Sequence, residues 1–425
     1  MRWKDEQDLV HLFLGGKMQK ILIMLVMSLL LCACHSSLSQ KEDLKIVVAS
    51  DIHYFLSDYY QDCEWFEEDM LYADGKMTVY GDEIVQAFVD RVIDIHPDLV
   101  ILTGDLSFNG EKGSHEKLAE YLKMIDNQGI SVAVIPGNHD IDNIFAKGYG
   151  KDDFIDVDNV SAKEFKDIYK DLGYDCAISA HDQSLSYRVD LNADYSLVLI
   201  DTNTHELTSG NAFDVGGHIT DSTMTWLTSQ LKDITDHKKR PIVAMHHNLA
   251  VHSSLLNQGY TIDDHEAIAN LFQKYKVPFV LSGHVHCQNI SQIQGIYDIA
   301  SSSLMVAPLQ FGVMSLNQNA MNYHSETLSI SQDPDAYFDT VTQHKLLERL
   351  EHIEDERIRN EVCEVLVKAN RYYFAGCISE KKEELQNMQG YRYIMNDKSL
   401  ESFYSEYLIS MLNEDYSSQN LKIDL

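Results

Sequence analysis

The segment 131-SVAVIPGNHDIDN-143 joins a short apolar run to a cluster of polar residues. Residues 131–136 have the pattern of a buried strand, which a Pro-Gly pair then ends. Asn138, His139 and Asp140 follow at once. One interpretation is a plain turn, because Gly, Asn and Asp are common turn residues. The other is a ligand site, because open α/β sheets hold their ligands at the ends of strands.

The same arrangement recurs from residue 45 to about residue 300, where strand-like apolar runs alternate with segments of helical periodicity. The predicted strands cover 45–50, 99–104, 131–136, 196–201, 241–246 and 278–283. The predicted helices cover 82–95, 112–127, 222–234 and 263–275, and a further β-rich stretch covers 295–330. Such alternation predicts an α/β fold around mostly buried strands.

Five of the predicted strands end at residue types that bind metal ions. These residues are Asp51, His53, Asp105, Asn138, His246, His284 and His286. Each motif alone is weak evidence, since a DxH triplet or a GD pair is usually a surface turn. All five in order, each at a strand end, make coincidence a poor explanation. Seven oxygen and nitrogen ligands without a thiolate are enough for two divalent or trivalent metal ions.

The order D-x-H, GD, GNHD, H and GHxH resembles that of the calcineurin-like metallophosphoesterase superfamily over residues 45 to 300. The resemblance implies an α/β fold, a four-layer α/β/β/α sandwich with the site at the carboxyl ends of the strands. It also implies the distribution of the ligands. One metal would be held by Asp51, His53 and His286, the other by Asn138, His246 and His284, with Asp105 bridging the two.

The chemistry implied by the resemblance is phosphoester hydrolysis. A water held between two metal ions loses a proton near neutral pH and becomes the nucleophile, while the ions neutralise the phosphate oxygens. His139 would face the leaving group as general acid. Asp140 would either orient His139 or cap the next turn. Manganese, iron and zinc all suit these ligands, so the identity of the metals stays open.

The sequence differs at some motif positions from individual branches of the superfamily, and these differences narrow the range of expected substrates. Phe108 stands where purple acid phosphatases have a tyrosine, and 104-GDLSFNG-110 lacks the arginine of phosphoprotein phosphatases. The motifs DxH, GDLS and GNHD resemble those of the bacterial cyclic-nucleotide-phosphodiesterase-like branch. This resemblance implies a small phosphodiester substrate. The segment 246-HHN-248 differs from the HHPP often seen there. Asn109 and His247 are candidate substrate contacts, although both could be structural.

The net charge of the chain limits its partners. Its 34 basic and 66 acidic residues give a formal charge of -32, so no nucleic-acid-binding surface is expected. A small phosphoester remains a suitable partner because the metals would set the local field. Two alternatives stay open: a phosphomonoesterase or nucleotidase of the same fold, and a catalytically weak, metal-containing surface-binding lipoprotein. The presence of His139 weighs against the second.

The amino-terminal segment has the pattern of an export signal. In 18-MQKILIMLVMSLLLCACHSS-37 a lysine precedes an apolar run that is too short to span a bilayer well. The end of this run resembles a bacterial lipobox, which implies a signal peptide at 1–33 and lipidation of Cys34 at the head of a tether, 34–44. Residues 1–17 look like a mis-assigned start. The lipid would anchor the protein in the cell envelope, outside the cytoplasm, at the outer membrane or cell surface; an uncleaved anchor helix is the alternative.

Two domains are predicted after the tether. Residues 45–331 form the metallophosphoesterase catalytic domain, and residues 332–425 form an additional C-terminal helical domain with dense charge and many tyrosines. The second domain either packs against the first or acts as a docking or substrate-gating module. A long acidic and aromatic loop, Tyr54 to Asp82, interrupts the catalytic domain, and such loops are often functional lids. The sequence assigns no oligomeric state.

Overall fold

The structure is a computed structural model that describes residues 37–425, except 62, 72–74, 204–214, 256–257, 397–402 and 416. The predicted signal peptide and the predicted lipidation site, Cys34, lie outside the described residues. Among the helices of the described part, none combines the length and the apolar character that crossing a bilayer requires. The five cysteines of that part, Cys63, Cys176, Cys287, Cys363 and Cys377, are all unpaired.

The first sheet has six strands, three of them parallel and buried. Its strands are β1 (Leu44–Ala49), β2 (Leu99–Leu102), β3 (Ser131–Val134), β13 (Gln310–Leu316), β14 (Ala320–Thr327) and β15 (Asn420–Asp424). They lie in the order β15-β14-β13-β1-β2-β3. β1, β2 and β3 run parallel, so their carboxyl ends meet at one edge of the sheet.

The second sheet has seven strands and also contains a parallel group. Its strands are β6 (Ser179–Ala180), β7 (Tyr187–Asp190), β8 (Tyr195–Ile200), β9 (Arg240–Met245), β10 (Phe279–Ser282), β11 (Asn289–Ile293) and β12 (Ile296–Ala300). Their order is β11-β12-β10-β9-β8-β7-β6, with β8, β9, β10 and β12 parallel. A separate hairpin consists of β4 (Lys147–Tyr149) and β5 (Phe154–Asp156).

Helices cover the outer faces of the two sheets. In the first part of the chain they are α2 (Gly81–Ile95), α3 (Lys112–Asp126), α4 (Ala162–Ile168), α5 (Asp221–Asp236) and α6 (His265–Lys274), whereas the short α1 (Phe66–Leu71) packs in a separate apolar cluster with Phe55 and Cys63. Phe88 of α2 packs edge-to-face on Phe311 of β13, with ring centroids 5.5 Å apart. On β8 the side chains alternate: Leu197 and Leu199 join the core between the sheets, and Val198 joins the core beneath α5 and α6. The predicted four-layer α/β/β/α sandwich is confirmed.

The C-terminal helices build a core of their own. They are α7 (Pro334–Arg349), α8 (Glu356–Phe374), α9 (Ile378–Asn387), α10 (Gln389–Asn396) and α11 (Phe403–Leu412), and α8 contacts the other four. The side chain of Asp333 caps α7 by accepting hydrogen bonds from the backbone N–H groups of Asp335 and Ala336. The additional helical domain is therefore present.

The chain then returns to the first sheet, which the sequence analysis did not foresee. β15 pairs antiparallel with β14 at the edge of that sheet. Its five residues alternate between exposed and half-buried positions, so it carries little of the apolar signal of a buried strand. The boundary at 331/332 stays a prediction.

Candidate metal centre

The carboxyl ends of β1, β2, β3, β9 and β10 bring the seven predicted ligands to one edge of the sandwich. Five of the seven have left-handed backbone conformations, namely Asp51, His53, Asp105, His284 and His286, with φ between 44° and 70°. Residues with a Cβ rarely adopt this conformation, and each instance costs of the order of 1–3 kcal/mol. The fold holds this strained backbone at the point where it turns side chains towards a common centre.

The first group of ligands contains Asp51, His53, Asp105 and His286, with one ligand atom of each lying within 4.8 Å of the others. Nε2 of His53 and Nε2 of His286 are 3.0 Å apart. Nε2 of His286 lies 3.4 Å from Oδ1 of Asp51. Ring nitrogens and carboxylate oxygens that face one another at these distances suit a shared cation.

The second group contains Asp105, His246 and His284, again within 4.8 Å of one another. Nε2 of His246 lies 3.2 Å from Nδ1 of His284 and 3.0 Å from Oδ1 of Asn138. The amide oxygen of Asn138 therefore completes a second pocket of nitrogen and oxygen donors.

Asp105 belongs to both groups through one of its oxygens. Its Oδ2 lies 3.5 Å from Nε2 of His53 and 3.4 Å from Nε2 of His246. Its other oxygen, Oδ1, accepts a hydrogen bond of 2.8 Å from the backbone N–H of His139. The residues present thus fit two metal ions that share Asp105.

Several outer contacts fix the orientation of the ligands, as is usual around metal sites. Nδ1 of His246 donates to the carbonyl of Thr103 at 2.8 Å, and Nε2 of His284 donates to the carbonyl of Gly259 at 3.1 Å. The backbone N–H of His284 donates to Oδ2 of Asp51 at 2.9 Å. Each of these two histidines is held with one ring nitrogen turned towards the centre.

The glycines of the GD and GNHD motifs permit a close approach of the two loops. Gly104 has φ +98°, and a Cβ placed there would lie 2.7 Å from Nδ1 of His246. A Cβ on Gly137 would overlap the carboxylate of Asp105. A side chain at Gly137 would push the bridging ligand Asp105 out of place, and one at Gly104 would press on His246 and on Gly137.

The electrostatics of the centre favour cations. Burial opposes ionisation of Asp105, but His246 and its neighbours hold the pKa of this carboxyl well below its usual value. Burial lowers the pKa of His284 to about 3, which keeps the imidazole in its neutral, ligand form. Burial also disfavours the charged form of His246, yet Asp105 raises the pKa of this histidine to about 9. A metal ion must therefore displace a proton from His246.

His139 lies beside the ligands without belonging to either group. Its Nδ1 donates to the carbonyl of Phe108 and to Oδ1 of Asn109, both at 2.9 Å. Since both partners are acceptors, Nδ1 carries a proton. Nε2 lies 4.0 Å from Oδ2 of Asp105, on the side of the metal ligands. Burial is the main reason that the pKa of His139 falls to about 4.

Of the two roles considered for Asp140, orienting His139 and capping a turn, its contacts favour the bonding of loop backbone. Its carboxylate accepts hydrogen bonds from the backbone N–H groups of Leu106, Ser107 and Gly137 and from the hydroxyl of Ser107, at 2.8–3.0 Å. These four donors occupy both oxygens. Asp140 ties the loop after β2 to the loop after β3, and the imidazole of His139 is oriented instead by Phe108 and Asn109.

The two predicted substrate contacts have protein partners. Asn109 accepts from His139 through Oδ1, and its backbone N–H donates to the buried carboxylate of Glu111 at 2.9 Å. His247 is buried, with Nδ1 2.7 Å from the hydroxyl of Thr202 and Nε2 3.1 Å from the carbonyl of Val215. Both ring nitrogens of His247 are thus used within the protein, which favours its structural interpretation.

The sequence analysis did not single out Lys76, which also reaches this region. Its side chain is buried, and Nζ lies 5.9 Å from the ring centroid of Phe108. The only sequence signal was its position in the long loop between Tyr54 and Asp82. A single lysine in an acidic loop has no motif of its own.

A two-sheet sandwich with a dinuclear ligand set at its strand ends defines a metal-dependent phosphoester hydrolase. The family model described as calcineurin-like phosphoesterase matches residues 44–288, so the chain belongs to that family. This family uses two divalent metal ions. A second model, the C-terminal domain of cyclic nucleotide phosphodiesterase, matches residues 317–418.

Similar proteins agree with this assignment. A 3',5'-cyclic-nucleotide phosphodiesterase of Nostoc sp. is 24% identical over 239 residues, which cover 55% of this chain and 74% of the relative. A probable cyclic nucleotide phosphodiesterase of Moraxella catarrhalis is 25% identical over 193 residues, covering 45% of this chain and 59% of the relative. A dimetal phosphatase from Danio rerio shares the fold, with a TM-score of 0.50 and 12% identity over 67% of this chain and 96% of that structure.

Proposed function

We propose that the protein hydrolyses a small phosphodiester, with cyclic nucleotides as the substrate class. The observation that carries the proposal is the placement of His139 beside two ligand groups that share one oxygen of Asp105. The C-terminal domain model and the names of the relatives support the choice of a diester. A diester carries one negative charge, so it needs fewer cationic side chains than a monoester does.

The chain itself supplies binding, orientation and a proton. When bound, the two metal ions supply an activated water and neutralise charge on the phosphoryl oxygens. Asp105 holds the two ligand groups in a fixed relative position, because its second oxygen accepts a hydrogen bond from the backbone N–H of His139. Burial lowers the pKa of His139 to about 4, and the anionic phosphate of a bound substrate would raise it, so that Nε2 would then hold the proton destined for the leaving oxygen.

The test is hydrolysis of a chromogenic phosphodiester and of the matching monoester by residues 35–425, stripped of metal and reloaded with manganese. We expect manganese-dependent cleavage of the diester in preference to the monoester. Asp105→Asn should abolish it, and His139→Ala should lower kcat by about 10²–10⁴-fold. Preference for the monoester would favour a phosphomonoesterase or nucleotidase. No turnover by manganese-loaded protein would favour a binding lipoprotein.

We also propose that a lipid on Cys34 anchors the protein in the cell envelope, outside the cytoplasm. The support is the apolar run and the 31-LCAC-34 sequence that ends it. Expression with a labelled fatty acid tests the proposal: Cys34→Ser should lose the label, while Cys32→Ser should keep it. Labelling that survives Cys34→Ser would contradict this anchor.

A further inference from the structure

A buried aspartate of the second sheet, Asp298 on β12, ties together the loops that follow β9 and β10. Its Oδ2 accepts hydrogen bonds from the backbone N–H groups of Leu249 and Ala250, at 2.6 and 2.8 Å, in the loop after β9. Its Oδ1 accepts from the hydroxyl of Ser282, the last residue of β10, at 2.6 Å. These two loops carry the two histidines of the second ligand group. Asp298 thus does for the second sheet what Asp140 does for the first.

The metal ligands lie very close in sequence to the residues that Asp298 holds. Asn248, two residues after His246, donates through Nδ2 to the hydroxyl of Ser282 at 2.9 Å and to the carbonyl of Gly283 at 3.0 Å. The backbone N–H of Gly283 donates to the carbonyl of His246 at 3.0 Å. Because Ser282 and Gly283 directly precede His284, a shift of either loop would move a metal ligand.

Polar contacts continue from Asp298 to the C-terminal helical domain. Nε2 of His252 lies 3.2 Å from Oδ2 of Asp298, and Nδ1 of His252 donates to Oδ1 of Asn289, on β11, at 2.8 Å. Nδ2 of Asn289 in turn donates to Oε1 of Glu414, just after α11. The hydroxyl of Tyr373, on α8, donates to the carbonyl of His252 at 3.0 Å. An unbroken series of contacts therefore joins the helical domain to the loops of the metal centre.

The charges along this series hold it in one arrangement. The side chains of His252 and Asp298 are 1% and 0% exposed. Burial disfavours the charged form of His252, but Asp298 outweighs this effect and raises the pKa of the ring, and Glu414 acts in the same direction. A protonated imidazole has a donor on each nitrogen, one for Asp298 and one for Asn289. Buried polar networks whose members find their partners are rigid and specify a single arrangement.

Residues that hold metal ligands from behind control the affinity for the metal. We propose that Asp298 is a positioning residue for the second metal group, and that the C-terminal helical domain fixes it through Glu414. The domain thereby sets the affinity for one of the two metal ions without contacting that ion. The proposal rests on the proposed function, because it concerns the metal centre of that reaction.

The test is calorimetric titration of manganese into the chelator-stripped protein. We expect Asp298→Asn to weaken the binding of one of the two ions about 10–100-fold, and Glu414→Ala to weaken the same ion about threefold or more. Glu414→Gln should bind like the wild type, because its amide oxygen can accept the same hydrogen bond. The matched control is Asp415→Ala, one residue further on, where the carboxylate is 92% exposed and lies 3.3 Å from Nζ of Lys382. This control should also bind like the wild type.

The route through Asn289 has a test of its own. Asn289→Ala should weaken the same ion as Glu414→Ala, and the two substitutions together should weaken it little further, since both interrupt one series of contacts.

The thermal midpoint of each metal-free variant shows whether it folds. Unchanged manganese affinities in folded Glu414→Ala would overturn the proposal even if Asp298→Asn does not fold. Equal weakening of both ions would also overturn it, because this would mean a general loosening of the fold, and so would a wild type that binds a single manganese ion. The expected change in affinity without turnover of the chromogenic diester would overturn the proposed function alone.

Discussion

At the scale of single residues, His139 is oriented by the loop that follows Asp105. Phe108 and Asn109 supply two acceptors for its Nδ1–H, while Asp140 bonds the backbone of both loops. Motif spacing could indicate that these residues share a site. It could not show which atoms accept the Nδ1 proton of His139 or which donors bond Asp140. These partners depend on the conformations of the two loops, in which Asp105 has a left-handed φ of 50°.

Replacement of Asn109 separates orientation of His139 from substrate contact. We expect Asn109→Ala to lower kcat by about tenfold to a hundredfold with little change in KM, since His139 keeps one of its two acceptors. Asn109→Asp should retain most activity, because a carboxylate oxygen can accept the same proton. Steady-state kinetics on the chromogenic diester measure both variants. A rise in KM at unchanged kcat would instead make Asn109 a substrate contact.

His115 should make the fold sensitive to acid. Burial lowers the pKa of His115 to about 4, and its nitrogens are 2.9 Å from the hydroxyl of Tyr169 and 3.0 Å from the carbonyl of Asp140. The unfolded chain binds a proton below about pH 6.5, whereas the folded chain does so only near pH 4. Stability is thus lost as the pH falls between these values, by about 3 kcal/mol at most.

Denaturant unfolding of wild type and His115→Gln between pH 7 and pH 4.5 measures this contribution. We expect the free energy of unfolding of the wild type to fall more steeply with acid than that of the variant. Parallel curves would mean that His115 does not carry the sensitivity. His237, an exposed histidine at the end of α5, gives the control variant His237→Gln, whose curve should follow the wild type.

At the scale of elements, apolar runs located the central strands because those strands are buried on both faces. β1 begins and β9 ends within one residue of the predicted bounds, and α2 and α3 were similarly placed. The hairpin β4–β5 and the edge strand β15 were missed, because their residues are largely exposed and leave no apolar run. β7 was also missed although three of its four residues are buried, because so short a strand leaves no distinct apolar run.

The contact between Phe338 of α7 and Gly75 predicts a loss of stability when the ring is removed. Phe338→Ala removes a ring that is 3% exposed and should cost about 3–5 kcal/mol of stability. Phe403→Ala on α11 is the matched control, because this ring is 55% exposed. Thermal unfolding measures both variants, and a wild-type midpoint in Phe338→Ala would contradict the predicted loss of stability.

At the scale of the whole molecule, both sheets contribute to the metal centre, and the C-terminal domain packs against the sandwich. Three ligand-bearing loops come from the first sheet and two from the second, so the metal centre exists only when both sheets are packed. The C-terminal domain adds β15 to the first sheet and Phe338 to the loop that carries Lys76. A chain with a net charge of -32 thereby gathers the ligands of two metal ions at a single edge.

Metal binding should therefore stabilise the whole fold, and more so at higher pH. Asp105 outweighs burial to raise the pKa of His246 to about 9, so in the metal-free fold the cation must displace a proton from this ring at neutral pH. Each pH unit below that value costs the bound state about 1.4 kcal/mol per displaced proton. The metal-free protein, in turn, loses its Asp105–His246 stabilisation as the pH rises from about 6.5 to about 9. The two statements describe the same proton, so the difference between the two forms widens once, by about 1.4 kcal/mol for each pH unit.

We expect the rise in thermal midpoint on adding manganese to chelator-stripped protein to be clearly larger at pH 8.5 than at pH 6.5. Calorimetry in two buffers of different ionisation enthalpy should show proton release on metal binding at pH 6.5. Asp105→Asn is the informative comparison, because it removes both the shared ligand and the anion that raises the pKa of His246. The thermal midpoint of this variant should therefore respond weakly to manganese at either pH. Equal increments at the two pH values in the wild type would mean that manganese does not compete with a proton on His246, and that this ring is not among its ligands.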